Sequence, residues 1–329
     1  MKVVITGGAG FLGQVLARRL LAGGELTGAS NTPEPIDELV LFDSRVPPKM
    51  LAGLDGRAEL VTGDVADARR LAEVVDRDDI SVFHLASMVS SECEVDFDAA
   101  LAVNLDGCRA MLEACRARGS GPRLVFTSSI AAFGGLAASE VATDSTKLTP
   151  ETTYGTTKAI CELLVNDYTR KGFVDGRSAR LPTVVIRPGR PNAAASSWVS
   201  GIFRERLNGE ECTLPVDLGT RVPIAGYRTV VENLVHLHEL DNDALGSDRA
   251  LNLPALELTA QEMIDGLSAA VRGPLGPVSL RPDPAVQAIF ATWAQHASSE
   301  RAIDLGFLRD GGLAEIVASY MEDFGSGAQ

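Results

Sequence analysis

Lys2-Val3-Val4-Ile5-Thr6-Gly7-Gly8-Ala9-Gly10-Phe11-Leu12-Gly13 opens the chain and decides its fold. The β-branched run before Gly7 reads as a buried strand. After the glycines, residues 11–21 carry apolar side chains near the 3.6 period and read as a helix. Glycines at 7, 10 and 13 permit a tight turn and let backbone N–H groups approach a pyrophosphate at a helix N-terminus. A glycine pattern alone is a weak signal; its place between an N-terminal strand and a helix makes it a strong one.

Working outward, the same alternation continues. Segments 39–42 (ending at Asp43), 58–62, 81–85, 123–127 and 181–186 read as strands. Segments 68–75 and 99–118 read as helices, and 22–36, rich in Gly and Pro, as a loop. Strands alternating with helices predict an α/β fold with a doubly wound parallel sheet of the Rossmann type. Beyond 188 the alternation weakens. We expect residues 1–187 to form the cofactor domain and 188–329 a smaller mixed substrate region interleaved with it. No fixed repeat is visible, and the tail 325–329 should fray.

The 329 residues are 45% hydrophobic and 22% charged, ordinary for a globular protein, with a net charge of −14. An acidic chain lacks the basic face that nucleic-acid binding needs. No apolar run spans a bilayer, and Lys2 leads straight into a strand instead of a signal peptide, so neither membrane insertion nor secretion is expected. The five cysteines, 93, 108, 115, 161 and 212, are odd in number and lack a C-x-x-C; they suit inert thiols in the reducing cytoplasm. No histidines and cysteines lie at zinc spacing, so no metal is expected.

Asp43 at the end of the second strand can accept hydrogen bonds from ribose hydroxyls and would repel a 2′-phosphate, which favours NAD over NADP. Arg45 is the counterargument, and a solvated loop acid is the plainer alternative. Asp64, followed by Val65, sits after the third strand, either at the adenine edge or as a helix N-cap.

Tyr154-Gly155-Thr156-Thr157-Lys158 puts a phenol and an ammonium at i and i+4, on one helix face. A phenol ordinarily titrates near 10, and a nearby ammonium favours the phenolate. Ser129, at a strand end 25 residues earlier, can bond a reacting hydroxyl. Base, activator and orienting donor are then together. Ser128 is the fallback for Ser129.

On these motifs the chain resembles the extended short-chain dehydrogenase/reductase family over nearly its whole length. The resemblance assigns the cofactor motif to Gly7, Gly10, Phe11, Leu12 and Gly13. It also assigns Leu85, Ala86 and Ser87, in His84-Leu85-Ala86-Ser87, to the cofactor cleft, with Met88 beside the nicotinamide. Ser129, Tyr154 and Lys158 become the triad, and Asn104 the helix residue that orders a relay water. Longer segments, Leu163–Tyr168, Lys171–Arg177 and Arg187–Ser197, resemble the D-erythronate dehydrogenase branch. That implies NAD-dependent oxidation of the C2 hydroxyl of a four-carbon sugar acid. Dehydratases of the family carry Asp-Glu where this chain has Ile130-Ala131, and its epimerases usually carry Tyr-Gly near Phe133-Gly134. A sugar-nucleotide 4-epimerase and a non-catalytic NAD sensor are the alternatives.

Residues 187–228 carry six arginines and a net +2 in an acidic chain. A locally basic segment suits a carboxylate-bearing substrate. Arg190 and Arg204 are the expected carboxylate ligands, with Arg187 structural. Asn192, Ser196, Ser197 and Ser87 are expected to bind sugar hydroxyls, and Trp198 and Trp293 to be core. The resemblance implies a homodimer built on two helices per subunit, for which the candidates are 99–118 and 154–171.

Overall fold

Lys2–Thr6 (β1) is fully buried, and its period-2 pattern sends Val3 and Ile5 into one apolar layer and Val4 into another. The strand therefore lies at the centre of a sheet covered on both faces. The computed structural model describes residues 1–329 except 48, 49, 52, 55, 138 and 326–329. The expected fraying beyond Gly325 thus lies outside the described residues.

Five further strands of the central sheet are β2 (Glu38–Asp43), β3 (Glu59–Thr62), β4 (Ile80–His84), β5 (Arg123–Ser129) and β6 (Asp175–Leu181). Two strands of a smaller sheet follow, β7 (Thr183–Val185) and β8 (Arg221–Gly226). β9 (Ala250–Asn252) lies at the edge of the central sheet and β10 (Leu256–Thr259) in the smaller one. The central order is β9-β6-β5-β4-β1-β2-β3, parallel throughout. The order reverses beside β1, the switch point where such sheets place their ligands. The smaller sheet runs β7-β8-β10. Because β9 comes from the C-terminal half, the two halves share one sheet.

Three expectations change. The sixth central strand is 175–181, and the run expected at 181–186 instead supplies β7 in the smaller sheet. Arg177 and Arg180 mask β6 in the sequence; the fold buries both by pairing them with Asp175 and Glu162. The 22–36 segment contains a short antiparallel pair, Glu25–Thr27 with Pro33–Pro35, which Glu239 ties down through the Thr27 amide and hydroxyl. The long 99–118 helix is three pieces: Phe97–Ala100, a π-helix at Leu101–Asp106, and Gly107–Arg118. The 11–21 and 68–75 helices form as read, at Phe11–Gly23 (α1) and Ala68–Val74 (α2). Ser90–Val95 (α3), Gly107–Arg118 (α4), Thr153–Arg170 (α5) and Ser197–Leu207 (α6) complete the frame around the site. No helix among the described residues is long and apolar enough to cross a membrane. All five cysteines are free and buried.

Candidate active site

At the carboxyl end of β1, Gly7 takes a left-handed φ of +67°, and a Cβ there would come 2.9 Å from the Ala86 nitrogen. A Cβ on Gly13 would come 2.5 Å from the Gly7 carbonyl. Only glycine fits a loop pressed this closely on itself and on the turn after β4. Helix α1 follows with Gly10 as N-cap and no side-chain cap, leaving first-turn N–H groups to be satisfied by an anion. This cradle fits the pyrophosphate of a dinucleotide. Phe11 packs its ring against Tyr227, 5.2 Å between centroids, so it offers the cradle only its backbone.

The Asp43 carboxylate accepts from Ala9 N–H (3.1 Å) and from Arg45 N–H (3.1 Å). It is half-buried against the glycine loop, not a solvated loop acid. Asp64 is exposed and closes a turn onto Ala66 N–H at 2.9 Å; the N-cap of α2 is Asp67, not Asp64. Val65 is buried against Gly107.

A relationship missed in the sequence links β1 to β4. Thr6 and His84 are register partners, with Thr6 Oγ1 2.8 Å from His84 Nδ1. The same hydroxyl accepts from Ala86 N–H (3.2 Å), and Leu85 N–H donates to the Thr6 carbonyl (3.1 Å). Burial, with the Lys158 charge, pushes His84 down to about 3, so it stays neutral. The signal was a Thr and a His each ending an adjacent strand.

Helix α5 begins at an N-cap, Thr152, whose hydroxyl accepts from Gly155 N–H. It carries Tyr154 and Lys158 toward the end of β5. Lys158 is buried, and its Nζ donates to the Thr127 carbonyl at 2.8 Å, lying 5.5 Å from the centre of the Tyr154 ring. Burial pushes the Tyr154 phenol up to about 12, while hydrogen bonding from Ser129 works the other way. Burial also lowers Lys158, opposed by the nearby thiols of Cys161, Cys108 and Cys93 and by Glu162.

The two adjacent serines divide. Ser128 is buried and donates to Glu162, which in turn holds Arg180 at 2.8 Å. Ser129 stays half-buried and caps the short 3₁₀ turn Ile130–Ala132 through Ala131 N–H.

Asn104, in the π-helix, staples the loop after β4. Its Oδ1 accepts from Met88 N–H (2.7 Å) and the Ser87 hydroxyl (3.1 Å), and its Nδ2 meets Thr157 Oγ1 at 3.3 Å and Cys93 Sγ at 3.4 Å. It thus fastens the loop after β4 to α5.

On the substrate side, Arg204 is buried, bonded to Glu205 and to the Arg187 carbonyl (2.8 Å). Its engagement was legible in the adjacent Glu205. Arg190 and Asn192 are exposed, and Ser197 Oγ closes a turn by accepting from Asn192 N–H at 3.0 Å. Ser196 is the N-cap of α6 without a side-chain capping bond. Trp198 is buried, as expected of core, and Trp293 half-buried.

The profile of the NAD dependent epimerase/dehydratase family matches residues 3–247. A D-erythronate dehydrogenase of Cupriavidus necator is 46% identical over 327 residues, covering 99% of both chains. A D-erythronate dehydrogenase of Haemophilus influenzae is 40% identical over 324 residues, 98% of this chain and 99% of that one. The crystal structure of a nucleoside-diphosphate-sugar epimerase from Agrobacterium tumefaciens superposes with a TM-score of 0.89 at 37% identity, covering 100% of this chain and 95% of that one. With a parallel sheet, a glycine cradle at its switch point and a Ser-Tyr-Lys set beside it, the chain belongs to the NAD dependent epimerase/dehydratase family, the extended branch of the short-chain dehydrogenases/reductases.

Proposed function

We propose that this protein is an NAD-dependent dehydrogenase that oxidises the C2 hydroxyl of a four-carbon sugar acid, D-erythronate to 2-oxo-D-erythronate. The observation that carries the reading is Tyr154 and Lys158 one turn apart on α5, with Lys158 bonded to Thr127 at the β5 end that carries Ser129. Two D-erythronate dehydrogenases that match nearly the full chain support it. Gly7, Gly10, Leu12 and Gly13 with the Phe11 backbone hold the pyrophosphate. Asp43 serves the adenosine ribose, and Asp64 with Val65 borders the adenine. Leu85, Ala86 and Ser87 border the nicotinamide side.

Bound NAD supplies the hydride acceptor for the C2 hydrogen. Tyr154 Oη, as phenolate, takes the C2 hydroxyl proton. Ser129 Oγ donates to the C2 oxygen as it becomes a carbonyl. Lys158, anchored on Thr127, holds the nicotinamide ribose and a positive charge behind the phenolate. Asn104 keeps Ser87 and Met88 in place. Residues 1–187 thus carry the cofactor and triad, and 188–329 the substrate side.

The enzyme works in the cytoplasm as a homodimer through α4 and α5, where Leu163 exposes 66% of its surface. The 4-epimerase reading draws on the Agrobacterium structure. An assay with NAD and a panel of aldonates, followed by NADH absorbance, separates the two: a dehydrogenase accumulates NADH, an epimerase does not.

A further inference from the structure

Six arginines are nine-tenths or more buried: 123, 177, 180, 204, 206 and 249. Each guanidinium is engaged by a carboxylate or by carbonyls of the fold. Arg187 is half-buried and differs. Among the described residues it pairs with no carboxylate, and of its five N–H donors only one on Nη1 finds an acceptor, the Arg190 carbonyl at 3.1 Å. Its backbone is fixed on both sides, the N–H donating to Ser200 Oγ (3.0 Å) and the carbonyl accepting from Arg204 (2.8 Å). Arg204 brings a second positive charge close by, and burial together with that charge disfavours the Arg187 cation. A half-buried guanidinium beside another, short of a counter-charge, is built to receive an anion.

The chain path runs the segment carrying this residue alongside the reaction cleft. Strand β6 ends at Leu181, the register partner of Ser129. Six residues later comes Arg187, and at the far end of the segment Ala195 N–H donates to Ser90 Oγ at 3.2 Å. Ser90 opens α3, two residues after the Met88 that Asn104 staples. Residues 182–195 therefore bridge from the strand end carrying Ser129 to the loop after β4.

We propose that Arg187, in place of the exposed Arg190 and the engaged Arg204, binds the substrate carboxylate and restricts the enzyme to acids over neutral polyols. The proposal rests on the sugar-acid reading above. The test compares wild type with Arg187→Ala and the shape-preserving Arg187→Gln, and uses Arg272→Ala at an exposed site as control. KM for D-erythronate should rise about 10- to 150-fold in either variant, the range for losing a hydrogen bond to a charged group. NAD affinity should stay unchanged, and preference for the acid over its neutral amide should collapse. D-Erythronate is also titrated calorimetrically against the NADH-loaded protein, so the site is judged apart from turnover. Binding that depends on Arg187 without NADH formation in wild type keeps the site and sinks the sugar-acid reading. Normal KM and normal binding in both variants overturn the site and leave that reading standing. A wild type that neither binds nor oxidises D-erythronate overturns both.

Discussion

The Lys158 ammonium donates to the Thr127 carbonyl at 2.8 Å, two residues before Ser129 on the same strand. One bond therefore ties the helix carrying Tyr154 to the strand end carrying Ser129. Lys158→Met removes the cation and its bond to the buried Thr127 carbonyl. Turnover should fall by at least about 100-fold, and unfolding should become easier by about 1–3 kcal/mol. Stopped-time assays and urea unfolding read the two effects separately.

Tyr154→Phe removes the proton acceptor while keeping the ring in place. NAD affinity, read by fluorescence titration, should stay within twofold of wild type. Turnover should fall about 100- to 10,000-fold, the usual contribution of a positioned base. Turnover near wild type would remove Tyr154 from the chemistry.

The pH profile follows from burial of the same phenol, which raises Tyr154 to about 12 in the absence of cofactor. Only the deprotonated form accepts a proton, so kcat/KM for oxidation should climb as pH rises from neutral into the alkaline range. The Ser129 hydrogen bond favours the phenolate, so Ser129→Ala should move the climb to higher pH as well as lower its plateau. A profile shifted to lower pH in that variant would contradict the assigned role.

Much of this site is legible in the sequence, and the part that is not has a physical cause. The strand–glycine–helix junction and the i, i+4 spacing of Tyr154 and Lys158 are local, and local patterns survive in a linear reading. Strand β6 is hidden because Arg177 and Arg180 look like surface residues until Asp175 and Glu162 neutralise them. The π-helix at Leu101–Asp106 is invisible because i→i+5 bonding leaves no periodic mark over six residues. Arg187 looks like its neighbours along the chain; what sets it apart is the carboxylate it lacks, a tertiary property.

Glu162 and Arg180 form a buried ion pair beneath the strand end that carries Ser128 and Ser129. Glu162→Ala leaves the buried Arg180 with only the longer Asp144 contact, 3.9 Å, for a counter-charge, which should cost up to about 3–5 kcal/mol. Chemical denaturation with a matching loss of NAD affinity would locate the damage at the β5 end. A change below 1 kcal/mol would mean the pair does not hold that end.

His84 supplies an acid limit to stability. Its folded pKa, about 3, lies below its ordinary value of 6.5, so the folded state excludes a proton that the unfolded chain accepts. The stabilisation is complete above about 6.5 and is lost as pH falls toward 3, at about 1.4 kcal/mol per pH unit. His84→Asn should flatten the dependence of unfolding free energy on pH within that window, measured by denaturant titration at several pH values. An unchanged slope would place the acid sensitivity elsewhere.

Oxidation of D-erythronate is tested by NADH formation from NAD and D-erythronate by the wild-type protein, with Tyr154→Phe alongside. Steady NADH accumulation with stoichiometric 2-oxo acid is expected in the wild type and almost none in the variant. Absence of NADH with every four-carbon sugar acid, together with interconversion of a sugar nucleotide and its 4-epimer, would contradict it.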